Sequence, residues 1–305
     1  MAIDNYSDQL ADNITNHNAL LKFINSKGNK TPADGGVTIL QNLEYAQNST
    51  VKWYAGYEAL DVSAQDVFTT AQFNWKQMAG NVVISGLEQI QNSGSSQKFD
   101  LLKSRIRNLE KSLKNTFATS LYADGTGTNG KDLGGLQLLV ADTVTNTVGG
   151  INANTYSFWQ NQLYDFSVQS VTAGADTITL AMNTLWLLCI RGADRPDFIA
   201  MDSVYFNYYW QSLQAGQRFA GEKSAAAGFM NLMYMDAPVV YDDQCPASHG
   251  YFLNTDYLFL RPAPGREFKA LKEKASINQD AIVLPVVWAG NMTTSNRSLQ
   301  GVMHA

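Results

Sequence analysis

Charge is scarce in this sequence. Asp, Glu, Lys and Arg make up 16% of the 305 residues, whereas soluble domains average about 25%. The polar surface must therefore rest largely on Asn, Gln, Ser and Thr. Molecules with so few charges repel one another weakly, so this composition favours self-association. The net charge of −5 excludes a polycationic protein whose whole surface would neutralise nucleic acid.

Cysteine and histidine are also scarce, with two and three residues respectively. Cys189 and Cys245 have no C-x-x-C partners, which excludes a zinc site built on thiolate pairs. His17, His249 and His304 are widely separated, and neither H-E-x-x-H nor G-x-S-x-G occurs. We therefore expect no metal site, no cofactor and no catalytic centre.

Long apolar runs are absent. No stretch approaches the about 18 apolar residues that a membrane-spanning helix needs. The first residues, MAIDNYSDQLADNITN, lack the basic and apolar segments of a secretory signal. We therefore expect a protein made in the cytosol, with no membrane partner.

The first two segments of the chain differ in pattern. Residues 1–36 are polar, with one short helix predicted around Ile14–Ile24, and resemble an extended arm that needs a partner. Within residues 37–88, four segments predict strands: VTILQNLEY, VKWYAGYE, DVFTTAQFNWKQ and NVVISGLE. The middle two flank ALDVSAQ, which predicts one long hairpin between them.

The predicted hairpin is rich in aromatic residues, namely Trp53, Tyr54, Tyr57, Phe68, Phe73 and Trp75. A two-stranded hairpin is at best marginally stable alone in water. If it projects from the body of the protein, another surface must cover its rings. These six residues are therefore candidates for an assembly interface.

Residues 95–122 predict a long helix, because apolar residues recur there at spacings of three and four. Glu110 and Lys114 form an i,i+4 pair. The opposite face is basic and includes Lys103, Arg107, Lys111 and Lys114. Two interpretations are open for this face: a solvated surface, or contact with an acidic partner, either a neighbouring subunit or enclosed DNA.

The loop DGTGTNGKDLGG, residues 124–135, matches the G-x-x-x-x-G-K core of a phosphate-binding loop. A working loop of this kind follows a buried strand and opens a helix. Here a helix precedes it, and Asp132 stands where Ser or Thr should ligate magnesium. The pattern favours a helix that ends at Asp124–Gly125 with a left-handed cap.

From residue 151 to 262, helices and strands alternate, which predicts helices packed around a mixed sheet. Asp202 or Ser203 is the expected cap of the helix SVYFNYYWQSLQ. Arg218 and Lys223 lie in a loop of small residues that either binds a ligand or is plain surface. YFLNTDYLFLRP predicts a single strand. In the C-terminal stretch, Pro285 places AIVLPVVWAG at a sheet edge or at a bulge.

The order of these elements resembles that of the major capsid proteins of tailed bacteriophages, with the Hong Kong 97-type fold. The resemblance rests on the paired segments YAQNSTVKWYAGYEALD and FTTAQFNWKQMAGNVVISGLE, the helix LKSRIRNLEKSLKNTFATSLYADGTG, the segment PDFIAMDSVYFNYY and the closing NRSLQGV. It covers nearly the whole chain by order and pattern, although no single motif is diagnostic.

The resemblance implies an α+β capsid fold with four parts. They are an N-terminal arm (1–36), an extended β-hairpin loop (37–88), a peripheral domain (89–150 and 263–305) whose spine helix is 95–122, and an axial domain (151–262). The axial loops of the family meet at the five-fold and six-fold centres, so Arg218 and Lys223 join the interface candidates.

The function implied is that of a shell subunit, which assembles as pentamers and hexamers around double-stranded DNA. A separate scaffolding protein, a portal and decoration proteins are the implied partners, and the implied location is the virion, after assembly in the bacterial cytoplasm. Two alternatives stay open: the shell subunit of an encapsulin-like compartment, and a nucleotide-binding enzyme that uses the 124–135 loop.

Overall fold

The computed structural model describes residues 18–33, 35–91, 95–213, 232–275 and 279–305. Half of the predicted N-terminal arm, residues 1–17 and 34, lies outside the described residues. So do two of the predicted interface residues, Arg218 and Lys223.

Fifteen strands are numbered here in chain order within the described residues. They are β1 Thr38–Glu44, β2 Phe68–Asn74, β3 Lys76–Ser85, β4 Thr147–Val148, β5 Ile151–Asn152, β6 Gln162–Asp165, β7 Phe198–Met201, β8 Leu232–Tyr234, β9 Ala237–Tyr241, β10 His249–Leu253, β11 Leu258–Pro262, β12 Lys269–Ala270, β13 Lys274–Ala275, β14 Ala281–Thr294 and β15 Gly301–His304.

The helices of the described residues are α1 Ala19–Ser26, α2 Gly86–Gln91, α3 Ser95–Tyr122, α4 Gly127–Gly130, α5 Leu136–Leu139, α6 Ile178–Leu188 and α7 Ser203–Ser212. The predicted helix over 95–122 is confirmed at both ends. Asp202 caps α7 as predicted, because its Oδ1 accepts a hydrogen bond from Tyr205 N at 2.9 Å. The helix predicted around Ile14–Ile24 instead starts at Ala19, since Asn18 is its extended N-cap.

The larger sheet has six strands in the order β6-β15-β10-β7-β9-β8. β15 runs parallel to β6 and β7 runs parallel to β9, whereas the other pairs are antiparallel. Alternate residues of β7 serve two cores. Ile199 and Met201 pack with α6 and α7, whereas Phe198 and Ala200 join the core that includes α3. The predicted mixed sheet with packed helices is therefore confirmed.

The second sheet is organised around β14, which pairs with β3 along one side. Along its other side β14 meets β11, β12 and β13 in succession. The edge alternative predicted for Pro285 is therefore wrong. Residues 271–273 lie opposite only Leu284 and Pro285, which fits the other alternative, a bulge. Leu271 N donates to Pro285 O at 2.8 Å, so the Pro285 nitrogen also faces residues 271–273, between β12 and β13. Because the facing strand is interrupted at these residues, no backbone hydrogen bond from the Pro285 nitrogen is needed. A proline is therefore tolerated in a central strand.

The helix α3 packs across this second sheet. A Cβ atom at Gly80 of β3 would overlap the side chain of Leu109, so glycine permits the close approach of helix and strand. Further along, the Phe117 ring meets the Trp288 ring edge-on, with centroids 4.9 Å apart, and meets Phe268 in the same way at 5.3 Å. The apolar side chains in the second half of the helix, Leu113, Phe117 and Leu121, are thus buried within the subunit.

A long hairpin is present, but its two strands are not the pair that was predicted. β1 pairs antiparallel with β2, from Thr38 opposite Asn74 to Glu44 opposite Phe68. The segment VKWYAGYE, predicted as a strand, has no strand conformation and lies in the connection, residues 45–67. The partner of β2 is therefore VTILQNLE, whose alternating apolar residues Ile39 and Leu43 face the core.

The segment YFLNTDYLFLRP forms two strands rather than the single predicted one. Asn254 Oδ1 accepts from Asp256 N and starts a 3-10 helix at Thr255–Tyr257, which separates β10 from β11. The two strands belong to different sheets. β3, from the predicted extended loop, lies in the β14 sheet, and β15, from the predicted peripheral segment, lies in the six-stranded sheet. The four-part division of the chain stays a prediction.

Candidate assembly interface

The connection between β1 and β2, residues 45–67, is called the tip loop here. Trp53 and Tyr57 are fully exposed in it, and Tyr54 is 61% exposed. Other apolar side chains of the loop are exposed too, namely Val51, Leu60 and Val62. Six exposed apolar side chains within one loop make it a candidate interaction site. Full burial of one such side chain contributes about 1.5–3 kcal/mol. Burial of the tip loop against another surface is therefore favourable.

Hydrogen bonds hold the neck of the tip loop in shape. Tyr45 N donates to Val67 O at 3.0 Å, and the Tyr45 hydroxyl donates to Asp66 O at 2.7 Å. The Ser49 hydroxyl reaches Gln65 Oε1 at 2.7 Å. Beyond the neck, Asp61 Oδ1 accepts from Ser63 N, which lowers the pKa of the Asp61 carboxyl. The apolar side chains are thus presented on a loop that local polar contacts shape.

The six predicted interface rings divide into two groups. Trp53, Tyr54, Tyr57 and Phe68 are exposed, and Phe68 is 68% exposed at the start of β2. The other two pack within their own subunit. Phe73 is only 4% exposed and belongs to the core, so its prediction as an interface residue is corrected. Trp75 is partly buried against the same core, and its Nε1 donates to Gly36 O at 2.9 Å.

The basic face of α3 is only partly free. Arg107 and Lys111 are exposed, whereas Lys114 Nζ lies 3.0 Å from Glu110 Oε1, in the predicted i,i+4 pair. Lys103 lies on the helix, but its side chain is outside the described part. Another cation of α3, Arg105, is bound to Glu88 through two hydrogen bonds, which hold the pKa of Glu88 at about 2.

The 124–135 loop has the predicted cap and lacks the surroundings of a phosphate-binding loop. Gly125 has φ +77°, the left-handed conformation expected after α3. The chain then folds back, with Gly135 N donating to the carbonyl oxygen of Ala123 at 2.9 Å. A helix rather than a strand precedes the loop, and the helix that follows, α5, has four residues. Sequence and geometry agree that this loop only reverses the direction of the chain after α3.

Two histidines, His249 and His304, lie opposite each other on β10 and β15, with stacked rings 5.6 Å apart. His249 Nε2 is 3.1 Å from Asp142 Oδ2. Burial opposes the charged form of His249, but the bonds to Asp142 and to the carbonyl oxygen of Ala247, with the charges of Asp142 and Asp202, together outweigh burial and raise the pKa of the imidazole. In the part of the chain that the structure describes, no cluster of three or more His, Cys, Asp or Glu residues could hold a metal ion.

Arg297 is a structural centre that sequence reasoning missed. It is fully buried, and its guanidinium donates to the carbonyl oxygens of Leu139 at 2.7 Å and Trp159 at 2.9 Å. It also donates to the side-chain oxygens of Asn146 and Asn161. All four acceptors are neutral, and burial lowers the pKa of Arg297 to about 10. The only signal in the sequence was one arginine within the closing NRSLQGV.

None of the described helices is long and apolar enough to cross a membrane. No protein-family model matches the sequence, and no curated protein matches it. Solved structures do match. A chain of the cyanophage A-1(L) capsid asymmetric unit is similar with a TM-score of 0.71 and 16% identity, over 90% of this chain and 89% of that one. The chain has the fold of a phage capsid protein.

Further capsid structures support this assignment. A chain from the capsid of a native GTA particle has a TM-score of 0.60 and 13% identity, over 92% of this chain and 89% of that one. A chain from the satellite phage P4 procapsid has a TM-score of 0.52 and 12% identity, over 97% and 98%. The predicted α+β capsid fold is therefore confirmed, and it spans nearly the whole of each chain.

Proposed function

We propose that this protein is the major capsid protein of a tailed phage. Its copies form pentamers and hexamers that close into an icosahedral shell around double-stranded DNA. The observation that carries the proposal is the capsid fold, which covers about nine-tenths of this chain and of its neighbours. In this role the protein contributes interfaces and no catalysis, and it uses no cofactor.

The tip loop supplies the contact that assembly needs. Its exposed rings, Trp53, Tyr54 and Tyr57, are covered by a neighbouring copy of the chain. Such a contact is heterologous, because the tip loop of one copy meets a different surface on the next. Repeated around an axis, heterologous contacts close into rings, and the low charge of the chain lets copies approach. Phe68 and the loop with Arg218 and Lys223 are further candidates for these interfaces.

Other partners follow from the same role. Packaged DNA meets the shell through non-specific contacts, for which Lys103, Arg107, Lys111 and Lys114 are the candidates. A separate scaffolding protein guides closure, a portal occupies one vertex, and decoration proteins can bind outside. The solved P4 procapsid includes a size-determination protein, which illustrates an assembly partner of this kind. The protein assembles in the host bacterial cytoplasm and resides in the virion.

Light scattering on the purified full chain, with negative-stain imaging of the same fractions, tests the proposal. Rings of five or six copies, sheets or closed shells are the expected result. A chain that stays monomeric at high concentration, and also with a co-expressed scaffolding protein from its own genome, would contradict it.

The contents of the shells separate the main proposal from an encapsulin-like compartment. The expected content of particles from infected cells is double-stranded DNA that resists nuclease until the shell is opened. An enzyme cargo without DNA would favour the compartment. For the nucleotide-binding alternative, Mg²⁺–ATP should raise the melting temperature; we expect no shift, since no strand–loop–helix unit surrounds residues 124–135.

A further inference from the structure

A cavity of about 80 Å³ lies between α3, the start of β3 and the end of the 124–135 loop. Its lining includes Lys76 and Met78 from β3, Phe117 from α3, Lys131 from the loop and Trp288 from β14. A single water needs roughly 10–15 Å³ measured in this way. The cavity therefore has room for a small polyatomic ion.

One wall of the cavity contains a buried donor without an acceptor. Trp288 is 3% exposed, and its Nε1–H has no hydrogen-bond partner among the described residues. Leaving such a buried donor unpaired destabilises the folded state. A bound acceptor in the cavity would remove this penalty.

The orientation of the indole places this donor near a lysine. The Cζ2 edge of Trp288, which is the edge that carries Nε1, points to Gly290, where an added Cβ would lie only 3.0 Å from Cζ2. Gly290 pairs with Lys76 across the β14–β3 ladder. The Lys76 ammonium donates to the carbonyl oxygen of Gly130. Trp288 and Lys76 therefore lie on the same face of the β14–β3 pair, and both line the cavity.

The charges around the cavity favour an anion. Lys76 and Lys131 are opposed by one carboxylate, Asp132. A Cβ at Gly127 would overlap that carboxylate, which shows that it lies over the turn of the loop. Lys131 lines the cavity and is exposed to solvent. The cations and the indole N–H are donors only, and donors are what an oxyanion requires.

We propose that this cavity binds one small oxyanion of the size of inorganic phosphate, held by Lys76, Lys131 and the indole N–H of Trp288. The site lies on the loop whose sequence suggested phosphate binding, but it works by a different geometry. Side chains from three elements supply the contacts, and no helix N-terminus takes part. The proposal is independent of the capsid role.

Isothermal titration calorimetry of the full-length chain with inorganic phosphate, at low and constant ionic strength set with chloride, tests the site. We expect saturable binding of one phosphate per chain. Lys131→Gln should weaken it about tenfold, as should Trp288→Phe, which keeps a ring against Phe117 and removes the donor. Lys111→Gln is the matched control: it removes the same charge from an exposed position of α3 outside the cavity, and binding should persist.

Three results would overturn the site. One is the absence of saturable binding. The second is unchanged affinity in both Lys131→Gln and Lys76→Gln, variants that alter side chains at the rim and leave the aromatic packing alone. The third is an equal loss in Lys111→Gln, which would indicate diffuse attraction to a basic surface. The indole N–H resonance of Trp288 in a ¹⁵N-labelled sample, assigned with Trp288→Phe, gives an independent readout: it should shift with phosphate and stay fixed with chloride.

Discussion

The two ends of the β1–β2 hairpin bear aromatic residues in opposite surroundings. At its base, Phe73 is 4% exposed and lies in the core of its own subunit. At its tip, Trp53 is fully exposed. The difference lies in what covers each end. The turn between β4 and β5 packs on the base, where a Cβ at Gly149 would lie 2.8 Å from Ala71 Cβ. No described residue covers Trp53.

The base therefore contributes to folding of the subunit, whereas the role proposed for the tip is assembly. An alternating aromatic pattern predicts that a side chain will be buried. It does not say whether the surface that buries it belongs to the same chain. Three variants test the division and a fourth tests the His249–Asp142 pair, in order of their expected effect on the free energy of unfolding of the subunit.

Phe73→Ala should have the largest effect. It removes a buried ring and leaves a cavity under the β4–β5 turn, so we expect a loss of about 3–5 kcal/mol in the free energy of unfolding. Urea unfolding followed by tryptophan fluorescence measures it. Assembly should fail along with folding. A loss below about 1 kcal/mol would mean that the base is not part of the core.

Gly149→Ala should have an intermediate effect. Gly149 has φ +59°, and the added methyl group would press on Ala71 and Phe73. Left-handed backbone costs a residue with a side chain about 1–2 kcal/mol, and overpacking adds about 1–3 kcal/mol. Gly150→Ala is the control, because Gly150 has φ +79° with no atom within 4 Å of the added Cβ. Equal losses in the two variants would show that the turn does not press on the hairpin base.

Trp53→Ala should change the stability of the subunit by no more than about 0.5 kcal/mol, since the ring is exposed. Its effect should fall on assembly, which we expect to require higher protein concentration or to stop at small oligomers. Light scattering against concentration, beside urea unfolding of the unassembled chain, separates the two effects. An equal fractional loss in both measurements contradicts the division. Trp75→Ala does not qualify as the same test, because Trp75 is partly buried.

His249→Gln should have a small effect that depends on pH. The folded-state pKa of His249 is raised, so its contribution is complete below its unfolded pKa and is lost as pH rises through the folded value. Burial opposes the charged form of Asp142, but the bond to His249 and the charges of His249 and His304 together lower its pKa. Its contribution is therefore lost as pH falls through the folded value. Between about pH 4 and 6.5 both contributions are present.

Unfolding of wild type and His249→Gln in urea at pH 5.5 and pH 8 checks this. The difference in stability between the two proteins should be larger at pH 5.5. A larger difference at pH 8 would show that His249 acts mainly as a neutral group.

Much of the fold could be predicted from local pattern. The apolar spacing of residues 95–122 defined α3, and Asp202 before an aromatic run defined the start of α7, because both depend on neighbours in the sequence. The surroundings of Pro285 could not be predicted, since its place in a central strand depends on the break between β12 and β13. Arg297 was missed for the same reason: its four acceptors come from residues over 130 positions away.

The candidate interface was predicted in part. Residue type and spacing indicated an aromatic hairpin whose rings need burial against another surface. Four of those rings are exposed in the subunit, namely Trp53, Tyr54, Tyr57 and Phe68. The same reasoning placed Phe73 in the interface, because the strand partner was taken to be VKWYAGYE. Pairing with β1 instead turns Phe73 towards the core that Ile39 and Leu43 share. A wrong strand partner thus changed the predicted role of a buried ring.

Hydrogen–deuterium exchange on unassembled and assembled chain tests the central claim most directly. The account predicts that backbone amides of the tip loop, residues 45–67, exchange quickly in the free subunit and become protected in the particle. Amides of β1 and β2, which already pair with each other, should change little. A tip loop that exchanges equally fast in both states would contradict the claim that a neighbouring copy covers it.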